Sequence, residues 1–384
     1  MSARKVSATK HPPIPVLRPL LPAAERLLPY LRAIDASRVY SNHGPLVTEL
    51  ARRLAAVLKQ PEGSIVCAAS GTAALTGAIL AAAGRAKPSS ALCIVPAFTF
   101  VATASAVEQC GYHPYLADVD SDSWMLDPRQ LAADPKLDQV GLVVPVAPFG
   151  RAVPQEPWRA FRRATGIPVV IDGAASFEVI EARPGRFLGD IPVALSFHAT
   201  KSFATGEGGA VVTTDCDVAS RIMQALNFGF LSSRDSEVPS INGKMSEFHA
   251  AVGLAELDHW PAKRAALHAV IACYRRLLDA AGLVHRFVGW PDIASCYPLF
   301  RCLDPAEASR VQQSLDNDRV DFRLWYGSGV HRQSYFRELA HGDLAVTDRL
   351  GPCLLGLPSA PDLSEGAVAR VVAALATVKA DVAA

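Results

Sequence analysis

Lys201 stands in the stretch ALSFHATKSFATGEGGAVVTTD, between an apolar run and a glycine-rich turn. A partly desolvated amine at the edge of a buried strand is a nucleophile for carbonyl carbons. A loop lysine taken alone is ordinarily a solvated charge, so its meaning depends on what accompanies it. Asp172 closes the apolar run PVVIDGAAS with a carboxylate, which by itself could equally cap a following helix. Ser70, Gly71 and Thr72 open an apolar helix, and the free N–H groups of a helix start favour phosphate. An ordinary N-cap would read the same way. Ser196 lies five residues before Lys201 and can bring a hydroxyl to that phosphate, and Phe100 in PAFTFVAT can present a flat ring. An amine, an acid, a phosphate cup and a flat surface are the four things pyridoxal 5'-phosphate asks of a protein. Each signal is weak alone; their order and spacing are not.

The elements that must position these residues read as an α/β chain. AAERLLPYLRAI reads as a short helix, and GPLVTELARRLAAVLK places Leu46, Leu50, Leu54, Val57 and Leu58 at helical spacing. A helix is expected over Thr72–Ala83. Apolar strands in SALCIVPA, HPYLADVD, VGLVVPVAPFG and IPVVIDGAA alternate with helices in TFVATASAVEQCG, PRQLAAD and WRAFRRATG. Continuous apolar strands separated by helices predict a mostly parallel sheet covered on both faces. Ligands of such sheets bind outside the carboxyl ends of the strands, where Ser70, Pro96, Asp118 and Asp172 fall. A long helical pattern from about Ser246 to Leu278, interrupted near Pro261, connects to a second, smaller α/β unit. In that unit SCYPLFRCL and VDFRLWY read as strands. The expected division is an N-terminal arm over 1–22, a large domain over 23–262 and a small C-terminal domain over 263–384.

Charge and composition narrow the partners. The chain has 384 residues, 38 basic and 37 acidic, for a formal net charge of +1. No basic tract favours nucleic acid and no polybasic helix favours a membrane surface. Eight cysteines are scattered without a C-x-x-C pair, so neither a zinc site nor a disulfide framework is expected. With no signal-peptide run and no apolar stretch of about 18 residues, the expected location is cytoplasmic.

Several stretches together resemble the DegT/DnrJ/StrS nucleotide-sugar aminotransferases. They are SNHGPLVTEL, SGTAAL, PAFTFVATASAV with YLADVDSDSWMLDP, VVIDGAA, SFHATKSFATGEGGAVVT and INGKMSEFHAAVGLAEL, in the family's order. The match runs from about residue 40 to residue 260; beyond it only LPSAPDLSEGAV is similar, and loosely. The resemblance implies fold type I of the pyridoxal-phosphate-dependent transferases. It makes Lys201 the Schiff-base lysine and Asp172 the partner of the pyridinium nitrogen. It assigns the phosphate to Gly71 and Thr72, helped by Ser196, and ring stacking to Phe100. Asn242 would reach the phosphate in a neighbouring subunit's site, which implies a homodimer with shared sites. Two positions depart from the family pattern: Ala175 stands where Gln or His is usual, and Ala147 where His is usual.

The activity implied is a ping-pong transfer of an amino group from L-glutamate to a keto-sugar nucleotide, for surface glycans such as O-antigen or for glycosylated metabolites. SNHGP, NFGF and INGKMSEF are nearest to the branch acting on dTDP-4-keto-6-deoxyglucose, which would give a 4-amino-4,6-dideoxy sugar. A 3-keto substrate is the alternative, and a cofactor-bound regulator with little turnover is a more distant one. Dehydration is disfavoured, because that branch replaces the lysine with histidine. Lys244, Tyr326 and His331 are candidates for substrate contact, and ordinary surface roles for them remain open. His198 has no forced role, and no metal is called for.

Overall fold

Apolar runs flanked by small residues fold as strands in the computed structural model, which describes residues 12–380. Seven of them build the large sheet: β1 (Ile65–Ala68), β2 (Leu92–Pro96), β3 (His113–Ala117), β4 (Val140–Val143), β5 (Ile171–Asp172), β6 (Val193–Ser196) and β7 (Gly209–Val212). β3, β2 and β4 are parallel neighbours. β5 and β6 pair in parallel, and β7 runs antiparallel between β6 and β1. Parallel bridges from Val143 to Val169 and from Val146 to Asp172 join the two groups. The order across the sheet is therefore 3-2-4-5-6-7-1, with only β7 reversed.

Both faces are covered, as continuous apolar strands require. On one face the helices Gly71–Ala83, Val101–Gln109 and Cys216–Ala225 bury Leu75, Ile79, Val107 and Ile222. On the other, Pro45–Val57, Gln155–Thr165 and the start of Glu247–Ala280 bury Leu50, Leu54, Trp158, Phe161 and Leu254. The expected helix over Thr72–Ala83 begins one residue earlier, at Gly71.

Two local expectations are corrected. The helix Glu247–Ala280 runs unbroken for 34 residues with Pro261 inside it. A proline there removes one helical hydrogen bond at a cost of roughly 3 kcal/mol. The helix outlasts that loss because its two halves are anchored in different cores, Leu254 and Trp260 in one, Ile271, Tyr274 and Leu278 in the other. The run VDFRLWY is not a strand; it contributes only isolated bridges, Val320 to Ile14 and Arg323 to Gly356. Ile14 takes the hydrogen-bonding position that a neighbouring strand would need, accepting from Asp321 at 2.9 Å and donating to Arg319 at 3.0 Å.

The smaller unit holds β8 (Phe287–Val288), β9 (Leu299–Arg301) and β10 (Leu354–Gly356), all antiparallel. The helices Pro305–Asn317 and Glu365–Ala380 cover it together with the end of the long helix. Residues 12–22 of the expected arm lie along this unit, with Ile14 and Val16 buried and Leu17 bridged to Ser359; residues 1–11 fall outside the described residues. A fourth buried cluster, with Phe98, Trp124, Phe149, Tyr297 and Leu354, joins the smaller unit to the carboxyl ends of the large sheet.

Candidate active site

The parallel strands β5 and β6 end side by side. Asp172 closes β5 opposite Ala194, and two residues later Ser196 closes β6. The Ser196 N–H donates to the Ala174 carbonyl at 3.1 Å, which fixes the two ends together. Lys201 follows in the turn after β6, its own N–H donating to His198 at 2.9 Å.

Asp172 is 7% exposed. Its Oδ2 accepts from the Thr103 hydroxyl at 2.7 Å and its Oδ1 from the Ala174 N–H at 3.0 Å. Burial pushes its carboxyl above the ordinary range, opposed by those two hydrogen bonds and by the charge of Lys201. A buried, oriented carboxyl at a strand mouth suits a protonated ring nitrogen, whose charge would offset the desolvation. Lys201 Nζ donates to the Tyr297 hydroxyl at 2.9 Å.

The place expected for the phosphate is shaped by close approach. Ser70 caps the helix Gly71–Ala83, its Oγ accepting from Ala73 N–H at 3.1 Å, so the first N–H groups of the helix have no helical acceptor. A Cβ on Gly71 would lie 2.5 Å from Ser196 Cβ and 2.8 Å from Ser196 Oγ. The helix start and the Ser196 hydroxyl thus share one small space, and only glycine permits it. Gly71→Ala is expected to weaken cofactor binding by about tenfold or more, read by titrating cofactor-free protein. The GEGG turn serves the same closeness. Gly206 takes a φ of +86°, and a Cβ on Gly209 would stand 2.7 Å from the Ser70 carbonyl oxygen.

Phe100 is the N-cap of the helix Val101–Gln109 and is 58% exposed. Its carbonyl accepts from Thr103 N–H at 3.2 Å, so it stands one turn from the hydroxyl that grips Asp172. Asn242 and Lys244 lie beside the end of β1, where Lys244 bridges Ala68 and Ala69 N–H donates to Gly243 at 2.7 Å. Lys244 Nζ donates to Asn242 Oδ1 at 2.8 Å and sits 4.1 Å over the Phe228 ring; burial lowers its pKa.

Tyr326 is stacked on Phe149 at 4.4 Å, and its hydroxyl accepts from Phe149 N–H at 3.2 Å. It is close enough to Lys201 and Asp172 for both charges to act on its hydroxyl, which burial raises. His331 is buried, with Nε2 paired to Asp348 at 2.8 Å. Ala147 is buried in the core, and Ala175 packs beside the Tyr297 and Tyr326 cluster. Among the described residues no group of three or more His, Cys, Asp or Glu could hold a metal ion.

Two site residues escaped the reading of the sequence. Thr103 was within reach of it, because it stands in the first turn of the helix that follows Phe100. Tyr297 was not, because 96 residues separate it from Lys201 and nothing local marks it.

Known proteins resemble this chain over most of its length. Residues 23–376 match the DegT/DnrJ/EryC1/StrS aminotransferase family. Protein Rv3402c of Mycobacterium tuberculosis is 32% identical over 95% of this chain and 90% of its own. A dTDP-4-amino-4,6-dideoxy-D-glucose transaminase of Shigella dysenteriae is 28% identical over 96% of this chain and 99% of its own. The crystal structure of DesI with its TDP-sugar product superimposes with a TM-score of 0.82 at 31% identity, covering 95% of this chain and 92% of that one.

Proposed function

The chain belongs to the DegT/DnrJ/EryC1/StrS aminotransferase family, with the type I fold and pyridoxal-phosphate dependence of that family, and from that premise we propose that it aminates dTDP-4-keto-6-deoxyglucose at C4 with L-glutamate as donor. The observation that carries the reading is the convergence of Lys201, Asp172 and the Gly71–Ser196 contact at neighbouring strand ends. The names of the Shigella transaminase and of DesI with its TDP-sugar product support the choice of sugar.

When bound, the cofactor supplies an electron sink for the carbanion formed as nitrogen changes partners. Lys201 Nζ is the amine that engages its aldehyde and, once free, the base that takes the proton from the donor's Cα. Asp172 would keep the ring nitrogen protonated. Gly71, Thr72 and Ser196 would hold the phosphate, and Phe100 would pack against the ring. Lys244 suits the diphosphate of the sugar nucleotide, and Tyr326 is near enough to Lys201 and Asp172 to contact substrate, whereas His331 is buried against Asp348. The eight cysteines are free thiols, in keeping with a cytoplasmic enzyme.

The test is incubation of cofactor-loaded protein with glutamate and a panel of 4-keto and 3-keto sugar nucleotides, with mass spectrometry of the products. A 4-amino-4,6-dideoxy sugar with release of 2-oxoglutarate is expected. Amination of the 3-keto compounds alone would move the reaction to C3, and no amination at all would overturn the reading.

The functional unit is proposed to be a homodimer in which Asn242 completes the partner's phosphate site. Tyr40 and Phe248 stack on each other at the surface, and Phe228 is exposed beneath Lys244, whose amine bonds Asn242. Mixing inactive Lys201→Ala subunits with Asn242→Ala subunits is expected to restore activity above that of either alone. Such mixed dimers carry one intact site only if Asn242 acts across the interface, so no gain would place Asn242 in its own subunit.

A further inference from the structure

Tyr297 comes from the smaller unit, just before β9, yet its hydroxyl lies 2.9 Å from Lys201 Nζ in the large sheet's turn. The contact is not a chance touch of two mobile side chains. Tyr297 is buried, with its ring edge-on to Phe149 at 5.9 Å and to Trp325 at 5.3 Å. The backbone before it is fixed by Glu178, a buried carboxylate that accepts from Ser295 N–H at 3.1 Å, from Ser295 Oγ at 2.8 Å and pairs with His268 Nε2 at 2.5 Å. Tyr297 N–H in turn donates to the Ala294 carbonyl at 2.9 Å.

We propose that Tyr297 is a catalytic partner of Lys201, the acceptor on which the lysine amine docks whenever it is not bonded to the cofactor. The inference rests on the assignment of Lys201 made above. During transfer the amine must leave the cofactor, take a proton from the donor's Cα and deliver it again. A four-carbon stem with a free end would sample many rotamers between those events. The phenol oxygen accepts an N–H from the amine and equally from the ammonium formed when the amine takes the proton, so one docking point serves both states. Burial keeps the phenol protonated, so it holds the amine without competing for the role of base. Because the phenol belongs to the smaller unit, displacement of that unit would move the docking point with it. Glu178 acts through Ser295 as a positioning residue.

Tyr297→Phe in the full-length protein keeps the ring and its packing and removes only the acceptor. It is expected to slow the glutamate half-reaction, followed by stopped-flow absorbance, by about 10- to 100-fold. Cofactor affinity should change by less than about threefold, since the phosphate cup is untouched. A second readout needs no turnover. Crystals of cofactor-free protein should show an ordered Lys201 amine on the phenol, and a disordered or displaced amine in Tyr297→Phe. Glu178→Gln should show a smaller slowing of the half-reaction in the same assay, because the docking point is loosened rather than removed. An unchanged half-reaction in Tyr297→Phe, or an amine equally ordered without the hydroxyl, overturns the proposal. Borohydride trapping of the cofactor on Lys201 separates this from failure of the underlying reading. If wild-type protein takes up no cofactor there, the Lys201 assignment itself falls.

Discussion

Lys201→Ala is expected to lose transamination by about 10⁴-fold or more, since one amine serves both as nucleophile and as proton carrier. The fold should survive the change. Lys201 lies in the turn after β6 and is only partly buried, and the change removes a single hydrogen bond, to Tyr297 Oη, worth about 1 kcal/mol. The loss should therefore appear in chemistry far more than in the melting temperature. The direct measurement is covalent. Borohydride treatment of wild-type protein with pyridoxal phosphate should fix the cofactor on the peptide containing Lys201, while Lys201→Ala should carry no adduct and no visible absorbance from one. An adduct of equal yield on another lysine, with activity retained, would refute the assignment. Lys201→Arg sharpens the point, because it keeps a charge near Asp172 but supplies no nucleophile at neutral pH.

Asp172→Asn is expected to cost about 10²- to 10³-fold in activity without lowering stability. Two hydrogen bonds hold the carboxylate, from Thr103 at 2.7 Å and from Ala174 N–H at 3.0 Å. An amide can keep both, its oxygen facing Ala174 and its nitrogen donating to the Thr103 hydroxyl, which can rotate because Thr99 Oγ1 stands 3.0 Å away to receive its proton. What the amide cannot do is balance a positive ring nitrogen, so the cofactor would lose its grip on electrons.

The sign of the stability effect follows from burial. The folded pKa of Asp172 is raised above its ordinary value of 3.8, chiefly by desolvation. A raised acid favours the folded state in its protonated form. That contribution is complete below about pH 3.8, where folded and unfolded chains are both protonated, and is lost as pH rises through the folded value. Cofactor-free Asp172→Asn should therefore melt at or above the wild-type temperature at neutral pH, and the difference should shrink toward pH 4. A variant that melts well below wild type at neutral pH would show that the carboxylate stabilises the empty fold, against this account.

Much of the sheet was legible because its period and composition are local properties. Runs such as LCIVP and VALS carry their own strand signal, and Gly166 and Gly111, both at positive φ, stand just beyond the ends of helices. The helix at Pro261 was misread because a proline is a local signal, while the two cores that hold the helix straight through it are not. The run VDFRLWY was misread for a similar reason: a strand needs neighbours along its length, and Ile14 and Gly356 supply only one isolated bridge each.

By itself the sequence determined the kind of chemistry. A lysine, an aspartate and a glycine-led helix start fall at strand ends within stretches that resemble the aminotransferase family, and it is this combination that implies an aldehyde cofactor. Only the tertiary structure decided how those groups are held. That Gly71 presses on Ser196, that Thr103 grips Asp172 and that Tyr297 receives the Lys201 amine are contacts between segments far apart in the chain. Local propensity has no term for such contacts, because they exist only once the sheet order 3-2-4-5-6-7-1 has brought the strand ends together and the smaller unit has packed across them.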